Sequence, residues 1–279
     1  MFVYSAFADE ISADLSVQIS ELQKHGIGYI EARGINGKNI SNHTAPEAVE
    51  IKKILDDNNM KISALGSPIG KIKITDDFDA ETEKFKRTVE LAKIFDTKYI
   101  RIFSFYMDTS KAEKYRNEVF KRFQTYIDIA KENKIVLLHE NEKQIYGDTP
   151  QRCLDLLKTI NSDYLKATFD PANFIQCKAD PLSAFELLEN YIEYVHIKDA
   201  LWQSGDVVPA GMGDGKVKEI LTRLHQKKWN GFLSIEPHLG DFQGFADLEG
   251  GKTVKKESSG PDKFDIAFAA IESIINDIM

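Results

Sequence analysis

Eight short runs rich in Ile, Val, Tyr and Phe alternate along this chain with stretches whose apolar residues recur at helical spacing. Few folds accommodate that pattern. The runs cover residues 2–7, 29–33, 61–65, 99–103, 136–140, 166–169, 194–197 and 232–235. Between them Leu15, Ile19 and Leu22 form one helical stripe, and Val119, Phe123, Ile127 and Ala130 another. Pro46, Pro150 and Pro181 stand where first helical turns should begin, a position that tolerates proline because its missing N–H would be unpaired anyway. Thr149 and Asp180 place a capping oxygen one residue ahead. A last helix is expected over 262–279. Eight strand–helix units in series predict an α/β fold, a single-domain (β/α)8 TIM barrel spanning residues 1–279. The competing doubly wound sheet lacks a Gly-x-Gly-x-x-Gly turn after its first strand.

A chain of 279 residues can bury about three quarters of its unfolded surface, so it needs no disulfide or metal staple. Apolar residues make up 42% and charged residues 29%, which excludes a disordered or fibrous chain. The net charge of −8 and pI near 5.4 argue against nucleic acid and anionic membrane surfaces as partners, since both recruit basic patches. No apolar run approaches the roughly 20 residues that span a bilayer. The start MFVYSAFADE has no basic segment of the signal-peptide kind, and two cysteines, Cys153 and Cys177, make no disulfide framework. A cytoplasmic protein with reduced thiols is the expectation. The Gly-rich stretch 239–261 reads as a long loop or lid.

In a barrel of this kind the chemistry gathers at the C-terminal strand ends. Four consecutive runs end in polar residues. VLLHENE supplies Glu140 and Glu142, LKATFDPAN supplies Asp170 and Asn173, YVHIKDA supplies His196 and Lys198, and FLSIEPH supplies Glu236 and His238. The period of two puts Glu140 with Glu142, His196 with Lys198, and Glu236 with His238 on shared faces. Glu140, Asp170, His196 and Glu236 would then meet at one mouth. Three carboxylates converging without a cation would repel, and a divalent ion (Mn²⁺, Co²⁺, Zn²⁺ or Mg²⁺) suits their hard oxygens and one imidazole.

HEN, FDPAN, VHIKD, GMGDG and SIEP, in that order, resemble the xylose-isomerase-like sugar isomerase/epimerase barrels, a family that also holds endonuclease IV, inosose dehydratase and ketose 3-epimerases. The resemblance covers nearly the whole chain. It implies one divalent metal on Glu140, Asp170, His196 and Glu236, with Glu140 and Glu236 also shuttling protons. Ketose 3-epimerases usually carry histidine three residues after the aspartate ligand, where this chain has Asn173. Endonuclease IV relies on many histidines, and this chain has six, of which His25 and His225 are expected in helices.

Other polar residues are expected around the same mouth. Glu10, Glu31, Arg33 and Arg101 join Glu142, Asn173, Lys198 and His238 as candidate substrate contacts, with an internal ion-pair ring as the alternative for the first four. Lys198 can stabilise an enolate oxygen or pair with Asp170. His139 should face away from Glu140 and make a structural hydrogen bond. Phe105 and Trp202 can stack on a sugar ring or pack in the core, and PAGMGDGK can cradle a phosphate through its N–H groups. The expected activity is a divalent-metal-dependent isomerase or epimerase on a sugar or keto-sugar, by proton abstraction next to a carbonyl through an ene-diolate. A dehydratase or lyase on a keto-sugar or keto-inositol shares that intermediate. A non-catalytic carbohydrate-binding barrel and an abasic-site endonuclease are the remaining readings. Homo-oligomerisation is left open.

Overall fold

The computed structural model describes residues 2–242 and 257–279. Its strands are β1 (Phe2–Ala6), β2 (Tyr29–Ala32), β3 (Lys61–Leu65), β4 (Tyr99–Ile102), β5 (Val136–Glu140), β6 (Leu165–Phe169), β7 (Ile192–Ile197) and β8 (Gly231–Ile235). They form one parallel sheet in the order β1-β8-β7-β6-β5-β4-β3-β2. β1 and β2, at its two ends, lie against each other and bring the sheet nearly to a closed barrel. Every expected strand is present. The sixth, seventh and eighth begin earlier than expected, at Leu165, Ile192 and Gly231, and the first, second and fourth end one residue short of the expected ends.

The helices are α1 (Leu15–Lys24), α2 (Ala45–Asp57), α3 (Phe78–Ile94), α4 (Ala112–Asn133), α5 (Pro150–Ile160), α6 (Pro171–Gln176), α7 (Pro181–Leu188), α8 (Val217–Gln226) and α9 (Pro261–Ile278). Their starts follow from local chemistry. Asp14 accepts from the N–H groups of Ser16 and Val17, Thr149 from Arg152, and Asp180 from Ser183. Thr44 and Glu47 satisfy each other's backbone N–H in a capping box ahead of α2. Phe264, Ala267, Phe268, Ile271, Ile274 and Ile275 form the buried stripe of α9. His25 does not lie inside a helix as expected: it caps α1, and its Nε2 meets the Asp265 carboxylate of α9 at 2.8 Å.

The barrel interior is layered. Tyr29, Tyr99, Tyr194 and Phe232 pack ring against ring near its N-terminal end, with Leu138 and Ala64 beside them. Higher up, Ser63 Oγ lies 2.6 Å from Ser5 Oγ and 2.8 Å from the Tyr194 hydroxyl, so small hydroxyls replace the usual aliphatic filling. Outside the sheet Phe105 packs edge-on against Phe78 and Phe123 and is fully buried, so the core reading of that residue holds and the sugar-stacking one does not. Trp202 is exposed, with Lys178 over its ring. Gly70 has φ +87°, and a Cβ there would lie 2.0 Å from the Phe103 carbonyl oxygen. Only glycine allows that loop to approach β4.

Of the expected loop 239–261, residues 243–256 lie outside the described ones. Its two described ends are tied together: the Asp241 N–H donates to the Glu257 carbonyl and the Ser259 N–H to the Asp241 carbonyl, both at 2.7 Å. Ser259 Oγ also donates to the Glu10 carbonyl at 2.6 Å.

Candidate active site

The polar strand ends converge at the C-terminal mouth. Glu140 ends β5, Asp170 follows β6, His196 lies near the end of β7 and Glu236 follows β8. One ligating atom from each lies within 4.8 Å of all the others, and all four residues are buried. Alternation explains part of this, and local capping the rest. Asp170 is the N-cap of α6: its Oδ1 accepts from the Asn173 N–H at 2.8 Å, and Pro171 fills the first helical position. That bond fixes the carboxylate and leaves Oδ2 turned to the cluster. Asn141 braces the same residue, donating to the Asp170 carbonyl at 2.9 Å and accepting its N–H at 3.0 Å.

His196 sits at the centre with its two ring nitrogens separated by task. Nδ1 faces Glu140 at 3.3 Å, Glu236 at 3.6 Å and Asp170 at 3.8 Å. Nε2 faces Glu31 on β2 at 3.1 Å. Burial disfavours the imidazolium, but Glu31 and Glu140 outweigh it and raise the His196 pKa well above the ordinary value.

Basic side chains surround the carboxylates. Lys198 Nζ lies 2.8 Å from Asp170 Oδ2 and 2.9 Å from Glu236 Oε2. Arg33 Nη1 meets Glu236 at 3.0 Å, while its Nε and Nη2 bind Asp9 and Glu10 at 2.8 and 2.9 Å. Arg101 Nη1 lies 3.2 Å from Glu140 Oε2. His238, at φ +46°, donates its backbone N–H to Glu10 at 2.6 Å and brings Nε2 to 3.2 Å from Glu236. Burial raises the Glu140 carboxyl, but His196 and Arg101 oppose it and bring the pKa down to about 2. Burial likewise opposes ionisation of Glu236, and Lys198 and His238 hold it well below the carboxylate range. Both glutamates are therefore bases at neutral pH. Glu10 is pushed upward, chiefly by burial.

The donor set fits a divalent cation. Among the described residues Glu140 Oε2 and Asp170 Oδ2 are buried and accept no hydrogen bond; Glu140 Oε2 has the ion-pair contact to Arg101 beside it, and Asp170 Oδ2 those to Lys198 and His196. Carboxylate oxygens with one imidazole nitrogen are the ligands that Mg²⁺, Mn²⁺, Co²⁺ and Zn²⁺ accept. Glu31 on the far ring nitrogen is the carboxylate partner that metal-ligating histidines ordinarily have.

Each candidate contact is at the mouth, in differing roles. Glu10 pairs with Arg33, Glu31 with His196, and Arg101 with Glu140. Asn173 is buried behind Glu140, donating to its Oε1 at 3.0 Å and to the Asn141 carbonyl at 2.9 Å. Glu142 pairs with Lys71 at 3.4 Å. Sequence reasoning missed Asp9, Asn141 and Lys71. Asp9 stood next to Glu10 in FADE and Asn141 inside HEN, but Lys71 lies beyond β3 in a loop with no strand register to aim it. His139 faces away as expected, with Nε2 3.0 Å from Ser104 Oγ. The phosphate cradle is not available: the Asp199 carboxylate already accepts the N–H groups of Gly211, Gly213 and Gly215 at 2.9, 3.1 and 2.7 Å. Cys177 is a packing residue whose thiol burial pushes up to about 12.

Comparisons with known proteins agree with the barrel fold. A 3-dehydroshikimate dehydratase of Bacillus anthracis is 23% identical over 177 residues, 63% of each chain, so the match spans less than two thirds of that relative. The structure of D-psicose 3-epimerase in the presence of D-fructose superposes with a TM-score of 0.76 at 17% identity, covering 99% of both chains. A xylose isomerase-like TIM barrel protein from Mycobacterium smegmatis in complex with magnesium gives 0.66 at 14% identity, covering 98% of this chain and 97% of that one. At such identities the superpositions speak for the fold. The family model of xylose isomerase-like TIM barrels matches residues 19–257, most of the barrel and all four clustered residues, and the chain belongs to that family.

Proposed function

We propose that this protein is a divalent-metal-dependent isomerase or epimerase that removes a proton next to the carbonyl of a sugar or keto-sugar. The observation that carries the reading is the joint placement of Glu140, Asp170, His196 and Glu236, with two ionised glutamates flanking the other two ligands. A divalent ion on these four residues would supply Lewis acidity toward the substrate carbonyl and its neighbouring hydroxyl.

The remaining work falls to side chains. Glu236 or Glu140, each ionised, takes the proton, and the other glutamate serves the opposite face. The Lys198 ammonium, 2.9 Å from Glu236, is placed to balance negative charge that develops on a substrate oxygen. Arg33 pairs with Glu236 and Arg101 with Glu140, which fixes the orientation of the two glutamates. Return of the proton to the same carbon gives an epimer, and to its neighbour an isomer.

A second reading, loss of a β-hydroxyl to give a dehydratase, is favoured by Asn173. It holds Glu140 at the place where ketose 3-epimerases usually have histidine, and the curated relative is a dehydratase. Reaction of the metal-loaded protein with candidate keto-sugars and keto-acids in heavy water tests both. Deuterium at the carbon beside the carbonyl supports proton abstraction, and an unsaturated product selects dehydration. No exchange and no elimination with any of them would overturn the proposal.

A further inference from the structure

Beside the carboxylate cluster lies a cavity of about 540 Å³, within the range of small-molecule sites. It shares Lys71 and Arg101 with the smaller hollow over Glu140 and Glu236. Among the described residues, six on its wall are charged: Arg33, Lys38, Lys71, Lys84 and Arg101 are basic and Asp9 is acidic. That is a local reversal in a chain whose net charge is −8.

The partners of these cations narrow the choice. Arg33 is held by three carboxylates, Asp9 among them, and Lys38 by Glu47 at 2.8 Å. Those charges are spent. Arg101 is buried, its Nη2 donates to the Gly66 carbonyl at 3.0 Å, and its Nε has no hydrogen-bond partner among the described residues. Its one carboxylate, Glu140, belongs to the cluster. Lys71 is 10% exposed, lies over the Phe103 ring, and has Glu142 no nearer than 3.4 Å. Lys84, half-buried on α3, meets no carboxylate among the described residues. Desolvated positive charge with incomplete pairing is costly, and an incoming anion relieves it.

We infer that the substrate is anionic, with a carboxylate or phosphate that enters this cavity and binds Lys84, Lys71 and Arg101 while its carbonyl end reaches Glu140 and Glu236. The inference rests on the proposed chemistry for the carbonyl end alone; the anion subsite stands on the cavity wall. It places the substrate among sugar acids or sugar phosphates and apart from neutral ketoses.

Three ligands of one carbon skeleton test it: D-fructose, its 6-carboxylate and its 6-phosphate, titrated by calorimetry into the Mn²⁺-loaded protein. One anion should bind at least about tenfold more tightly than the neutral sugar, and the tighter one identifies the group. Lys84→Met should shrink that advantage below about threefold, and Lys84→Arg should keep most of it. Equal affinity for all three, binding of none, or an advantage intact in Lys84→Met would overturn the inference. Deuterium exchange with the same compounds separates it from the chemistry. An anion that binds preferentially without exchange keeps the subsite and removes the proton abstraction. A neutral sugar that binds as tightly and exchanges as fast does the reverse.

Discussion

Glu31 on β2 meets the Nε2 edge of His196 on β7 at 3.1 Å across the barrel interior, with both side chains fully buried. The contact decides which ring nitrogen faces the carboxylates. With Nε2–H engaged by Glu31, Nδ1 is presented to Glu140, Asp170 and Glu236.

Glu31→Gln should therefore weaken metal binding by roughly 10–100-fold without removing any ligand. Competition against a chelating dye measures this directly, with circular dichroism to confirm the fold. An unchanged affinity would show that His196 is oriented by packing against Phe7 and Tyr194 instead.

Glu236→Gln should abolish turnover, by about 10²-fold or more, while the barrel stays folded. The amide keeps the volume between Arg33 and Lys198, and Arg33 retains Asp9 and Glu10. Single-turnover deuterium exchange is the measurement, and full activity would sink the two-glutamate mechanism.

His139 gives the fold a pH dependence. Burial lowers its pKa to about 4, so the folded state keeps it neutral where the unfolded chain, near 6.5, takes up a proton. The unfolded state binds more protons between those values, so stability is present above pH 6.5 and is lost as pH falls toward 4. The loss is about 3 kcal/mol from this group. Urea unfolding of wild type and His139→Gln should show their stability difference narrowing across that window. A constant difference would refute the assignment.

Thr44→Ala should cost about 1 kcal/mol through loss of the cap on α2. Thr44 Oγ1 accepts from the Glu47 N–H at 3.4 Å, and Glu47 accepts from the Thr44 N–H at 2.6 Å. Thermal denaturation of the variant is a sufficient check, with Glu47→Gln as a milder companion.

The sequence exposed the barrel because each strand is a short apolar run followed by a helix, and α1, α2, α3, α5 and α6 each begin at a side-chain cap. The convergence of Glu140, Asp170, His196 and Glu236 was legible for the same reason: strand ends in this architecture point to one place, and period two says which residues do. What stayed hidden depends on contacts between distant segments. Nothing in the spacing of Glu31 and His196 says that they touch, and Lys71 gains its place only because Gly70 lets its loop descend onto Phe103. The loop 211–215 offered amides that could suit a phosphate, a reading Asp214 already opposed, and their engagement by Asp199 could not be read from the sequence.

That last arrangement binds two distant stretches of sequence into one unit of inheritance. A Cβ at Gly213 would sit 2.4 Å from Asp199 Oδ1, and one at Gly215 2.6 Å from the same atom. Neither glycine can change while the aspartate remains, and the aspartate cannot leave without stranding the buried Gly215 amide and the two partly covered amides of Gly211 and Gly213. Among descendants of this chain the Asp199 carboxylate and its glycines should be kept together or lost together, whatever substrate the mouth has come to accept.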